Sequence, residues 1–166
     1  MKYESTGFQG LTDAQSDLIS YWRKAHTVGI PPARESLDPG AIRGHLSSIS
    51  IVEIGRDGQA RFRLAGSKLR QIFGQDMRGR SLTELDPTAY EMWSLGLSCV
   101  LEQQRPLGGL IERGSDAHAW LRLPLQTGPG GALILCHDSL IPSLRLTRHP
   151  SGQFDSHKVS VSNIAA

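Results

Sequence analysis

Cys136-His137-Asp138 sets a thiol, an imidazole and a carboxylate side by side. These are the groups a nucleophilic mechanism needs as attacking atom, base and orienting acid. The residues before them, Ala132 to Leu135, form an apolar strand-like run. Neighbours in a strand point to opposite faces, so Cys136 and His137 cannot meet. The triplet is expected to be a structural cysteine beside an exposed histidine. No Gly-x-Ser-x-Gly elbow occurs, so no catalytic residues are expected. The six histidines show no His-x-x-x-His spacing, and the two cysteines, Cys99 and Cys136, form no Cys-x-x-Cys pair. Neither a metal site nor a disulfide framework is therefore expected. A single axial histidine would suffice for haem. His118 is expected on the strand face away from the core, and His45 beside the stripe of a short helix elsewhere, so haem is not expected.

Arg78-Gly79-Arg80 is the other passage with chemical content. Guanidinium forks suit carboxylate and phosphate groups, and a glycine between two of them makes a loop. No Walker or dinucleotide glycine fingerprint accompanies them. Two readings stay open: arginines guarding an anion site, or arginines paired with Asp76, Glu84 or Asp86.

The elements that must carry these residues follow from periodicity. Thr12 and Gln15 have capping-box spacing. Leu18, Tyr21, Trp22 and Ala25 then recur at helical spacing, giving an amphipathic helix over 12–27 that ends at Gly29 and Pro31-Pro32. Asp38-Pro39 opens a short helix with Ile42 and Leu46. Residues 48–54 and 60–65 form strands joined at Asp57-Gly58, with Phe62 and Leu64 on one face and Arg61 and Arg63 on the other. Ser67 caps a short helix with Leu69, Ile72 and Phe73, stopped by Gly74. Asp86-Pro87 opens the longest helix, 87–104, and Pro106 follows it. Three more strands, 107–113, 117–126 and 132–139, complete the order. The class is α+β: a five-stranded antiparallel sheet, short helices on one face, and an N-terminal amphipathic helix. The divisions are a flexible N-terminus at 1–10, a helical extension at 11–46, a core at 47–142 and a loosely ordered polar tail at 143–166.

The chain has 166 residues, 39% hydrophobic and 20% charged, with a net charge of +2. That suits one globular domain. The charge is too small and too scattered to imply nucleic acid. No apolar stretch of membrane-spanning or signal-peptide length is present, so a cytoplasmic protein is expected.

The element order is that of a PAS domain, and three passages resemble a bacterial PAS-like family common in alphaproteobacteria. They are Tyr21-Trp22 with Pro32-Ala33-Arg34 and Leu37-Asp38-Pro39-Gly40-Ala41-Ile42; Phe62-Arg63-Leu64-Ala65-Gly66-Ser67 with Leu69 and Phe73-Gly74; and Arg78-Gly79-Arg80-Ser81-Leu82. The resemblance runs from about residue 18 to residue 138. It implies a PAS fold and a sensory or regulatory role exercised by binding, without catalysis. It leaves the ligand open. The Asn-Cys-Arg-Phe-Leu segment of flavin photoreceptors is absent, so flavin adduct chemistry is not expected.

On these grounds the ligand pocket is expected between sheet and inserted helices. It would be lined by Phe62, Leu64, Leu69, Phe73, Trp93, Leu97, Leu121 and Leu123, with Arg78 and Arg80 at its mouth. Trp120 is expected on the outer sheet face, meeting Leu18, Tyr21 and Trp22. That contact would lie within one chain or across a homodimer. The leading expectation is a stand-alone cytoplasmic signalling module that binds a small ligand, a partner protein, or both. The alternative is a ligand-free interaction adaptor or dimerisation module.

Overall fold

The computed structural model describes residues 8–142. Of the regions expected to be flexible, residues 1–7 and the tail from 143 lie outside the described residues. Helix α1 spans Asp13–Ala25 and begins where the Thr12 hydroxyl accepts the Gln15 backbone N–H at 3.1 Å. The Gln15 side chain does not close a box on the cap residue; its Oε1 accepts the Leu11 N–H instead. The short helix expected to open at Asp38-Pro39 is instead a 3-10 segment, Arg43–Ser48, that no side chain caps; another 3-10 segment, Arg34–Ser36, precedes it.

Strands β1, Ile49–Gly55, and β2, Ala60–Ala65, follow, then helix α2, Leu69–Phe73. Ser67 does not cap α2: its N-cap position is Lys68 and carries no side-chain hydrogen bond. Gly74 ends it with φ of 73°, the left-handed conformation that glycine adopts without penalty. Helix α3, Pro87–Gln103, starts at Asp86, whose carboxylate accepts the N–H groups of Thr88 and Ala89, both at 3.1 Å. Strands β3, Leu107–Arg113, β4, Asp116–Pro124, and β5, Gly131–Pro142, complete the chain.

All pairings are antiparallel, in the order β2-β1-β5-β4-β3. The α+β class and its five-stranded sheet are as expected. The sheet's two faces are both covered. One face packs Val52, Phe62, Trp120, Ile134 and Cys136 against α2, α3 and the 3-10 turn at Leu82–Glu84. The other packs Ile49, Ile51, Leu121, Leu123, Leu133 and Leu135 against Leu18, Ile19 and Trp22 of α1.

This arrangement reverses the expected facing of β4. Leu121 and Leu123 do not line the helix-side interior; they lie under α1. Trp120 does not reach the outer face; it belongs to the interior, and so do His118 and Arg122, which share its side of the strand. The alternation was right and its sign was wrong, because α1 supplies an aliphatic layer that the leucines match. Leu18 and Trp22 are buried by their own sheet, with Trp22 Nε1 donating to the Pro124 carbonyl at 2.7 Å. The outer face is thus closed within one chain, and no Trp22–Trp120 contact forms. Tyr21 packs at the edge of the same layer, and its hydroxyl accepts the Asp38 N–H. Leu64 is a second correction. A bulge shifts the β1–β2 register between Ile51 and Val52, so Phe62 opposes Val52 while Leu64 opposes Ile51. Leu64 therefore leaves the interior and is 37% exposed.

Candidate functional site

The interior between sheet and helices is aromatic. Trp93 of α3 is fully buried, with Phe62 at 5.1 Å and Phe73 at 5.6 Å between ring centroids. Leu69 and Leu97 are buried in the same cluster, and Phe73 packs at its margin. Five of the expected lining residues, Phe62, Leu69, Phe73, Trp93 and Leu97, are therefore brought together. Leu64, Leu121 and Leu123 are not.

Sequence reasoning missed what lies beside the aromatics. Arg122 of β4 is fully buried, its guanidinium 3.8 Å above the Trp93 ring and 5.3 Å from that of Trp120. Its two terminal nitrogens donate to the two carboxylate oxygens of Asp138 on β5, each at 3.1 Å. Nη1 also donates to the Leu121 carbonyl at 2.8 Å. His118 Nε2 completes the group at 2.7 Å from Asp138 Oδ1. Burial pushes the Asp138 carboxyl up, but the Arg122 charge and the hydrogen bonds from His118 and Arg122 outweigh it and hold it below the ordinary carboxylate range. An ionised carboxylate only accepts, so His118 Nε2 carries the shared proton and Nδ1 is the nitrogen left over.

The interior is rich in donors. Asp138 is spent on His118 and Arg122, while the N–H groups of Trp93, Trp120 and Arg122 Nε are buried without an acceptor. The Cys136 thiol, beside them, is pushed up to about 12 by burial, so it is no nucleophile. His137 is not exposed as expected. It is 3% exposed on the α1 side of the sheet, and its ring stands 6.5 Å from that of His45.

A cleft of about 310 Å³ leads to this group. It opens between Ile72 and Phe73 of α2, Thr88, Ala89 and Met92 of α3, and Ile111 and Arg113 of β3, and it reaches His118. Two other clefts are built from polar loop and hairpin residues. One, of about 510 Å³, lies among Glu53, Arg56, Asp57, Arg61 and Arg63. The other, of about 320 Å³, lies among Ser67, Arg70, Asp76, Met77 and Arg78. Arg78 thus lines a different cleft from the one that reaches His118, and its guanidinium is committed to Asp76 at 2.7 Å. Hydrogen bonds from Arg78 hold Asp76 down at about 2. Arg80 pairs with Glu84 at 3.1 Å. The Arg-Gly-Arg passage is instead an edge strap: Phe62 N–H donates to the Arg80 carbonyl and Gly79 N–H to the Phe62 carbonyl, covering β2. The carboxylate-paired reading of these arginines is the one the geometry supports, and neither lines the cleft that reaches His118.

Among the described residues, no group of three or more histidine, cysteine or acidic side chains is placed to hold a metal ion. No helix among them is long and apolar enough to cross a membrane.

A family model described as PAS domain matches residues 12–105. The chain belongs to the PAS domain family. The matched region runs from the cap of α1 through α3, so it takes in the helix that covers the outer face of the sheet. Membership places this PAS protein among sensory and signalling modules. Among solved structures, the PAS domain of histidine kinase ThkA is similar, with a TM-score of 0.39 and 24% identity over 54% of this chain and 98% of that one. No curated protein matches.

Proposed function

We propose that this PAS protein is a cytoplasmic sensory module that acts by binding rather than turnover, with the cleft between α2, α3 and β3 as its input site. One observation carries this reading: the cleft ends on His118, the outermost member of a buried His118–Asp138–Arg122 group. A ligand there touches a side chain hydrogen-bonded to the centre of the sheet. Asp138 sits on β5, whose opposite face packs under α1. Moving His118 therefore changes the strand on which α1 rests, and shifts the population of α1 arrangements that a partner protein reads. The expected output is a protein contact.

Native mass spectrometry of the protein as purified, beside a Met92→Trp variant that fills the cleft, tests this. An added non-covalent mass on the parent that is missing from the variant supports a ligand sensor. A mass retained by a folded Met92→Trp protein removes the cleft from the argument. The second reading, a ligand-free adaptor, is favoured by the interior itself, since Trp93, Phe62, Phe73 and Arg122 occupy its centre. A bare mass, with a partner retained by Met92→Trp, would establish it.

A further inference from the structure

We infer that the turn after α1 is a docking tip for an anionic lipid surface, with Val28 and Ile30 entering the headgroup layer and Arg23, Lys24 and Arg34 supplying the complementary charge. Val28 is 93% exposed and Ile30 52%, and no other large apolar side chains among the described residues are so open to solvent. They share one turn. Thr27 N–H donates to the Ile30 carbonyl at 3.0 Å, and Ile30 N–H to the Thr27 carbonyl at 2.7 Å. Gly29, with φ of 76°, supplies the left-handed residue of the reversal. The turn itself has no need of the two aliphatic side chains. Turns favour asparagine, aspartate and serine, and β-branched residues fit strands better. A local rule broken without a structural gain points to function. The tip is also held in place. Pro32 is buried, and its carbonyl accepts the Gln126 N–H at 2.9 Å. Little freedom is therefore lost when the tip docks.

The charge around the tip selects the surface. From Leu18 to Arg34 the chain carries Arg23, Lys24 and Arg34 and no acidic residue; Asp17 and Glu35 bound the stretch. All three cations are exposed, and none makes an ion pair among the described residues. Arg23 and Lys24 also suit the carbonyl end of α1. Arg34 opens a 3-10 segment, where that reason does not hold. Lys24 and Arg34 stand within four residues of the Thr27–Ile30 bridge, one on either side. A protruding aliphatic pair with cations behind it fits a surface that is uniformly anionic and turns apolar about 5–10 Å down. Protein interfaces centre more often on aromatic anchors, and residues 27–30 hold none. The contact lies on a bilayer without spanning it, and it does not depend on the cleft between α2, α3 and β3.

Vesicle cosedimentation of the full chain tests this, with phosphatidylcholine alone and with phosphatidylcholine and phosphatidylglycerol in equal parts. The protein should sediment with the anionic vesicles at low salt, come off as salt rises, and ignore the neutral ones. Each cation near such a surface is worth about fivefold in affinity, so Lys24→Gln with Arg34→Gln should weaken binding about twentyfold. Val28→Ser with Ile30→Ser should weaken it at least about tenfold with every charge kept, which separates insertion from loose charge attraction. Leu64→Ser, at an exposed apolar position elsewhere, should change nothing. Circular dichroism checks the fold of each variant. Anionic-vesicle binding that survives the two serines would overturn the tip, and so would equal binding to both vesicles or sedimentation with neither. Self-association lost in the serine variant, without sedimentation, would give the tip to a second copy of the chain and overturn the lipid assignment.

Discussion

Arg122 and Asp138 carry their charges where neither touches water. A buried ion pair adds little against an apolar replacement, but removing one partner leaves the other charge uncompensated. Asp138→Asn should therefore cost about 3–5 kcal/mol in urea unfolding, and adding Arg122→Met to it should recover part of the loss. Two single variants that simply add would sink the idea of a coupled pair. The pH dependence has a defined sign. The folded carboxyl lies below its ordinary value, so its stabilisation is complete above about pH 4, the unfolded value. It is lost as pH falls through the folded one, and Asp138→Asn should lack this acid limb. The pair was legible in principle. Arg122 sits two residues from Trp120, and Asp138 follows an apolar run; charges in central strands are paired when buried. What misled was treating polarity as a guide to the solvent side, when the sheet has no solvent side along β4.

The elements themselves were legible because their signals are local. The Asp86-Pro87 cap, the Asp57-Gly58 turn and the alternation of β4 are written in adjacent residues, and α1, α3 and all five strands form within a few residues of where periodicity puts them. Facing is not local. It depends on what covers each side, and the bulge that turns Leu64 outward has no marker in β2. One non-local clue was present: Gly109 lies opposite Trp120 in the β3–β4 register. A Cβ at Gly109 would stand 2.9 Å from Trp120 Cζ2, and one at Gly96 of α3 would stand 3.3 Å from Cζ3. The indole is thus gripped between two backbones without side chains. Gly109→Ala should cost about 1–3 kcal/mol by overpacking. Gly96→Ala should cost less, because the closer fit is offset by about 1 kcal/mol of helix propensity. Equal denaturation midpoints for Gly109→Ala and the parent would show that the ring has room to move.

At the scale of the molecule, one sheet serves two cores, and β5 belongs to both, with Ile134 and Cys136 on one side and Leu133 and Leu135 on the other. The two layers should therefore unfold together. His137 tests this, because it titrates on the α1 side of the strand that carries Asp138 on the other. Burial pushes its imidazole down to about 4; Asp138 works against that shift, and His45, Arg122 and Lys68 work with it. Among its neighbours on the α1 side, His45 stands 3.7 Å from Asp17 of α1. The folded protein thus keeps His137 neutral where the unfolded chain takes up a proton, near pH 6.5. Its contribution is complete above pH 6.5 and drains away as pH falls towards 4, by about 3 kcal/mol in all. His137→Leu should flatten that stretch of the stability curve and leave the Asp138 limb at lower pH in place. Trp22 reports on the α1 layer, and Trp93 and Trp120 on the interior. At pH 5, the fluorescence of a Trp22→Phe variant and its far-ultraviolet circular dichroism should give one denaturation midpoint. Two separated midpoints would mean that the α1 layer comes away on its own, and that β5 does not transmit between the two faces of this PAS fold.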